Sequence, residues 1–85
     1  MSAHRLRPLG EPRPLRVDTD TGGAPQAVVL GRRRKRVVAV RETWRIDDEW
    51  WRRLLSRRYH DVVLEDGRCV TLYLDLVEQR WYLQG

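Results

Sequence analysis

Cysteine is nearly absent from this 85-residue chain, in which Cys69 stands alone. A single thiol excludes an intrachain disulfide and points to a reducing compartment rather than a secreted scaffold. Phenylalanine is missing altogether, methionine occurs once, and Lys35 is the one lysine among 17 basic residues. No apolar run approaches the roughly 20 residues of a membrane-spanning helix. Charges and prolines interrupt the N-terminal stretch where a signal peptide would carry its apolar core. The expectation is a soluble, cytoplasmic protein with no membrane partner. A glycine-rich phosphate loop behind a strand is also lacking, which removes the cradle of a nucleotide hydrolase. Two histidines and one cysteine show no recognised metal-ligand spacing, so no metal and no cofactor is expected. Asp47-Asp48-Glu49 read as the solvated acids of a turn rather than a cation site.

What is present suits a small β domain. Eighty-five residues supply one core, and the apolar stock is Val and Leu with four Trp and three Tyr, side chains that fill pleated surfaces. Residues 1–14 carry three prolines and three arginines and read as a flexible arm. Residues 15–85 form the single domain. A hairpin joins residues near 15–18 to residues near 26–30 across the turn cluster around Gly22-Gly23. A strand follows from about Lys35 to Ile46, with Val38, Val40, Trp44 and Ile46 on its apolar side. Glu42 interrupts that side, which suggests a bulge. Arg41 and Arg45 fall on the wetted side, and Trp44 in the core.

Asp47–Leu55 is ambiguous. Asp47 caps a short helix with Ile46, Trp50 and Leu54 at four-residue spacing, or the stretch is an irregular loop. The reading taken here is a loop with one turn of helix. Arg58–Glu65 and Arg68–Asp75 form a hairpin around a two-residue Asp66-Gly67 turn. That turn sets Val63 opposite Val70, His60 opposite Tyr73 and Arg58 opposite Asp75. A second turn near Val77-Glu78-Gln79 leads into Arg80–Leu83. The fold class predicted is all-β: an SH3-like or open antiparallel barrel of about five to six strands.

Catalysis is poorly supplied. His60 and Cys69 fall on one side of the hairpin about four residues apart, farther than direct contact, so a paired surface His and a buried Cys explain them better. The chain reads as a non-enzyme. Binding is better supplied. Arg32, Arg33, Arg34, Lys35 and Arg36 carry a charge equal to the whole formal excess of +5. Arg41, Arg45, Arg52, Arg53, Arg57 and Arg58 extend the run, and Trp51 beside Arg52 and Arg53 is a stacking candidate for a base. A fixed cationic stripe is a footprint for a polyanion, although alternation along a strand turns successive cations to opposite faces. The competing reading is a solvated edge whose charge prevents aggregation. Arginine is also scattered along the whole chain, as codon bias in a genome rich in G and C would scatter it.

Taken in order, Gly31-Arg-Arg-Arg-Lys-Arg-Val-Val, Trp44-Arg45-Ile46-Asp47, Trp50-Trp51-Arg52, Arg57-Arg58-Tyr59, Leu64-Glu65-Asp66-Gly67-Arg68, Thr71–Leu76 and Arg80-Trp81-Tyr82 resemble a small bacterial domain. That domain is found free-standing and at the C-terminal end of Y-family DNA polymerase homologues of the ImuB type. The resemblance covers about Leu15 to Gln84 and brings no catalytic residues with it. Two departures stand out: Glu78-Gln79 where the second turn usually carries Gly, and His60 where the pattern is aromatic or basic. The resemblance implies a DNA-repair or translesion setting. The expected function is therefore a nucleic-acid-binding accessory module, DNA ahead of RNA. The alternative is a protein-interaction module docking a replication or repair partner through its Trp-rich segment.

Overall fold

Alternation of Val, Leu and aromatic side chains with polar ones carries about three quarters of the described residues into strands. The computed structural model describes residues 12–50 and 53–84, with side chains throughout except at Trp50 and Arg53. Its strands are β1 (Arg13–Pro14), β2 (Arg16–Thr19), β3 (Pro25–Leu30), β4 (Arg33–Trp50), β5 (Arg53–Leu64), β6 (Cys69–Asp75) and β7 (Arg80–Gln84). All pairings are antiparallel, in the spatial order β1-β7-β6-β5-β4-β3-β2, and the sheet curls into an open half-barrel. The two strands at its ends, β1 and β2, are consecutive in the chain. Only Leu15 separates them, and its N–H donates to the Trp81 carbonyl at 3.2 Å. The expected five to six strands become seven because Arg13–Thr19 divides there between two sheet edges. Arg13 and Pro14, assigned to the arm by their composition, pair with Leu83 and Tyr82.

Val28, Val62, Leu64, Leu72 and Leu83 form the buried core on the inner face. Residues directly opposite on neighbouring strands share a face, so the registers show which side chains reach that core. The β5–β6 register runs Val63↔Cys69, Val62↔Val70, His60↔Leu72 and Tyr59↔Tyr73. It differs by one residue from the Asp-Gly expectation. A two-residue type I′ turn needs φ above zero at both central residues, and of the pair only Gly67 has it, at 90°. The loop is instead Glu65-Asp66-Gly67, closed by the Leu64 N–H to the Arg68 carbonyl at 2.8 Å.

That slip matters for His60 and Cys69. It puts them on opposite faces, with His60 buried and Cys69 exposed. They form no pair, which corrects the expectation of one shared side.

The long strand is longer than the sequence suggested. β4 runs to Trp50 and pairs with β5 through Trp50↔Arg53, so Asp47–Leu55 contains no helical turn among the described residues. The Asp47 carboxylate caps nothing. It accepts from Ser56 Oγ at 2.6 Å and pairs with Arg45 Nε at 2.8 Å, both contacts of an extended ribbon. The ladder slips between Val37 and Ala39 and again between Val40 and Glu42. The irregularity expected at Glu42 is therefore two bulges, at Val38 and Arg41. Each bulge inverts the alternation once, and the one at Arg41 leaves Val40, opposite Val62, on the inner face and the even-numbered residues beyond it on the outer face. Trp44 lies opposite Tyr59 on the outer face and stays 36% exposed, not in the core.

On that outer face Trp44, Tyr59, Tyr73 and Tyr82 make a row across four strands. Their successive ring centroids are 5.2, 5.0 and 5.1 Å apart. The guanidinium of Arg57 lies 4.5 Å over the Tyr73 ring. Aromatic contacts of this kind add about 0.5–1.5 kcal/mol each beyond burial.

Candidate nucleic-acid interface

The basic run sits where three strands and one turn meet. The Gly31-Arg32 turn links β3 to β4, with Gly31 at φ 64°. The register then sets Arg34 opposite Val29 and Arg36 opposite Ala27, while Arg16 of β2 lies opposite the same Val29. Arg16, Arg34 and Arg36 thus share one face. Lys35 turns to the other and reaches Asp66 in the β5–β6 turn at 3.6 Å. Alternation splits the run, as the strand period requires.

Acids stand among these cations. Asp18 accepts Arg34 Nε at 2.9 Å and Arg16 Nε at 3.5 Å. Glu65 lies 3.9 Å from Arg36 Nε and accepts the Arg36 backbone N–H at 2.9 Å. Asp66 holds Lys35 and, at 3.3 Å, Arg68. The Arg34 hydrogen bond lowers the Asp18 pKa, and the Arg68 backbone N–H lowers that of Asp66. Both carboxylates are therefore ionised at neutral pH. Arg32 and Arg33 are exposed and have no acid partner among the described residues.

Counting the region gives Arg16, Arg32, Arg33, Arg34, Lys35, Arg36 and Arg68 against Asp18, Glu65 and Asp66. Seven cations against three anions leave four positive charges, nearly the whole formal excess of +5. Sequence reasoning missed Arg16 and Arg68 as members. Arg16 would have followed from the hairpin, since facing Val29 puts it two strands from Arg34.

The proposed extensions do not join this cluster. Arg45 is nine residues beyond Arg36, roughly 30 Å along an extended strand. It bonds Asp47 and, through Nη2 at 3.4 Å, Ser56. Arg41 occupies the second bulge and directs Nη1 to Cys69 Sγ at 3.7 Å. Arg57 covers Tyr73 on the outer face, and Arg58 shares the inner face with His60. Trp51, Arg52 and the Arg53 side chain lie outside the described residues.

No other site among the described residues competes in chemistry. Among the described residues no group of three His, Cys, Asp or Glu side chains is placed to hold a metal ion. No helix among the described residues is long and apolar enough to cross a membrane. A groove of about 690 Å³ opens on the outer face between Leu55, Arg57, Tyr73, Asp75 and Tyr82, with walls of mixed charge. No family model, curated protein or solved structure matches the chain.

Proposed function

We propose that the protein is a non-enzymatic nucleic-acid-binding accessory module, DNA ahead of RNA. The cluster of Arg16, Arg32–Arg36 and Arg68 is its phosphate contact. The carrying observation is the local excess of four positive charges around the β3–β4 turn, shared between the two faces of the sheet. The acids within it do not block the role. Exposed ion pairs contribute only about 0–1 kcal/mol each, so a phosphate displaces a carboxylate at small cost. Arg32 and Arg33 have no carboxylate to displace. The DNA-repair or translesion setting rests on the sequence resemblance alone.

Titration of labelled single- and double-stranded DNA across salt concentrations tests this. Binding through about four phosphates gives a log–log salt slope near −3 to −4. Replacing Arg34 and Arg36 by Gln lowers the slope by about one for each lost contact. Arg45→Gln, some 30 Å along the strand, leaves it unchanged. Absence of binding to either DNA at low salt sinks the proposal.

A second reading, a protein-interaction module working through the Trp-rich β4–β5 ribbon, is favoured by one observation. Beyond Arg36, β4 has no strand on the side away from β5 among the described residues.

A further inference from the structure

The open side of β4 is long, regular and partly apolar. From Glu42 to Trp50 it is paired without a bulge to β5, nine residues in all, and its other side carries no strand among the described residues. On its outer face Trp44 and Ile46 are 36% and 40% exposed. Unpaired edges of this length are templates for another strand, and natural proteins usually cover, shorten or bend them. Here the bulges at Val38 and Arg41 bend the first part only.

The charge pattern points to the occupant. We propose that a second copy of this chain pairs antiparallel along Glu42–Trp50, with the twofold axis beside Ile46. This rests on the interaction reading of the ribbon and not on the nucleic-acid reading.

In such a joined sheet the axis is perpendicular to the sheet, so outer residues face outer ones and inner face inner. The register is then defined by the residue on the axis. An axis at Arg45 sets that cation against itself, and one at Asp47 does the same for the carboxylate. An axis at Thr43 sets Arg45 against Arg41. An axis at Trp44 meets the Arg41 bulge after two residues on one side. An axis at Ile46 uses all nine residues. It sets Ile46 against Ile46, Arg45 against Asp47 twice, Thr43 against Glu49 twice, and the Trp44 indole N–H donor against the Asp48 carboxylate. No like charges face one another.

Arg45 and Asp47 already pair within each chain at 2.8 Å. The axis then makes an alternating square of two cations and two anions on the inner face.

Sedimentation equilibrium of the full chain without nucleic acid tests this, with a dimer expected. Arg45→Glu alone and Asp47→Arg alone each put like charges opposite at two places and raise the dissociation constant roughly tenfold or more. Mixing the two variants restores dimer. The introduced glutamate of one chain then faces the introduced arginine of the other, and the retained Asp47 faces the retained Arg45. Within each variant chain the neighbouring charges still repel, so rescue on mixing reports contact between chains.

A second measurement does not depend on those charges. In a Cys69→Ser background, Ile46→Cys oxidises to a linked dimer at the axis, where facing Cα atoms sit about 4.5–5.5 Å apart. Trp44→Cys, facing Asp48, does not. A monomeric wild type, mixing without rescue, or equal cross-linking at both positions overturns the proposal. None of these outcomes bears on DNA binding by the basic cluster.

Discussion

Gln79 carries a backbone conformation that its side chain does not favour. It ends the β6–β7 turn at φ 61°, with its N–H donating to the Asp75 carbonyl at 2.7 Å. Asp75 Oδ1 fixes the rest of the turn by accepting the Val77 and Glu78 N–H groups, each at 2.9 Å. The left-handed region costs a residue with a Cβ roughly 1–2 kcal/mol, against roughly 0.5–1 kcal/mol of extra chain entropy for Gly. Gln79→Gly is therefore expected to stabilise the fold by about 0.5 kcal/mol. Gln79→Val is expected to destabilise it by more than that. Urea midpoints of the two variants, moving in opposite directions, check this.

His60 is the second residue under constraint. It is 5% exposed, lies beside Trp81 at 5.5 Å between ring centroids, and has Nδ1 at 3.1 Å from Thr43 Oγ1. Nε2 is buried without a hydrogen-bond partner among the described residues. Burial, then the nearby charge of Arg58, lowers its pKa below the usual 6.5. The unfolded chain therefore takes up the proton first. Stability is full above about pH 6.5 and falls as the pH drops towards the lower folded value. Denaturant midpoints at about pH 8 and about pH 5 should differ in the wild type and differ less in His60→Gln. The Asp18, Asp47 and Asp66 carboxylates, held below their usual value, titrate at more acid pH and do not obscure that window.

At the scale of the element, the β4–β5 ribbon and the aromatic row across it carry most of the outer face. Tyr73 is 2% exposed between Tyr59 and Tyr82, with Arg57 above it, while Trp44 ends the row at the open edge. Tyr73→Ala should cost about 3–5 kcal/mol, as for other buried aromatics. Trp44→Ala should cost nearer 1 kcal/mol, because one side of the ring already meets water. Chemical denaturation of both variants checks the contrast. Equal losses would mean that the row does not transmit packing inward.

Most strands of this sheet were legible. The periodicity of Val38–Ile46 and the turn residues at Gly22-Gly23 and Asp66-Gly67 placed hairpins correctly to within a residue or two. Phase was not legible. The polar Glu42 signals an irregularity but not its position or number. The bulge at Arg41 puts Trp44 on the outer face while Val40 stays on the inner one, and the bulge at Val38 carries no signal of its own. The helical spacing of Ile46, Trp50 and Leu54 misled for a related reason. Four-residue spacing is also an even number and suits one strand face as well as a helix, and Leu54 belongs to the next strand, where it lies opposite Glu49.

For the whole molecule, charge is distributed by pairing rather than by sequence distance. The five-residue basic run loses part of its field to Asp18, Glu65 and Asp66 and regains it from Arg16 and Arg68. The expected outcome is DNA affinity that falls steeply with salt through this pole, while variants of Arg45 leave the slope alone. Replacing Arg16 by Gln should weaken binding although it lies 16 residues before the run. Replacing Asp18 by Asn should strengthen it, because Arg34 is then released to phosphate. A salt-dependent titration of both variants reads these opposite signs.

Composition and periodicity by themselves determined an all-β fold with its hairpins and long strand, and a positive charge concentrated in one run. They do so because apolar alternation and turn chemistry act between near neighbours. The tertiary structure alone decided which side of the sheet each residue occupies, which acids neutralise the run, which distant arginines replenish it, and which stretch of edge has no strand beside it among the described residues. Those outcomes depend on register between strands. A single bulge or a three-residue turn resets that register for every residue beyond it.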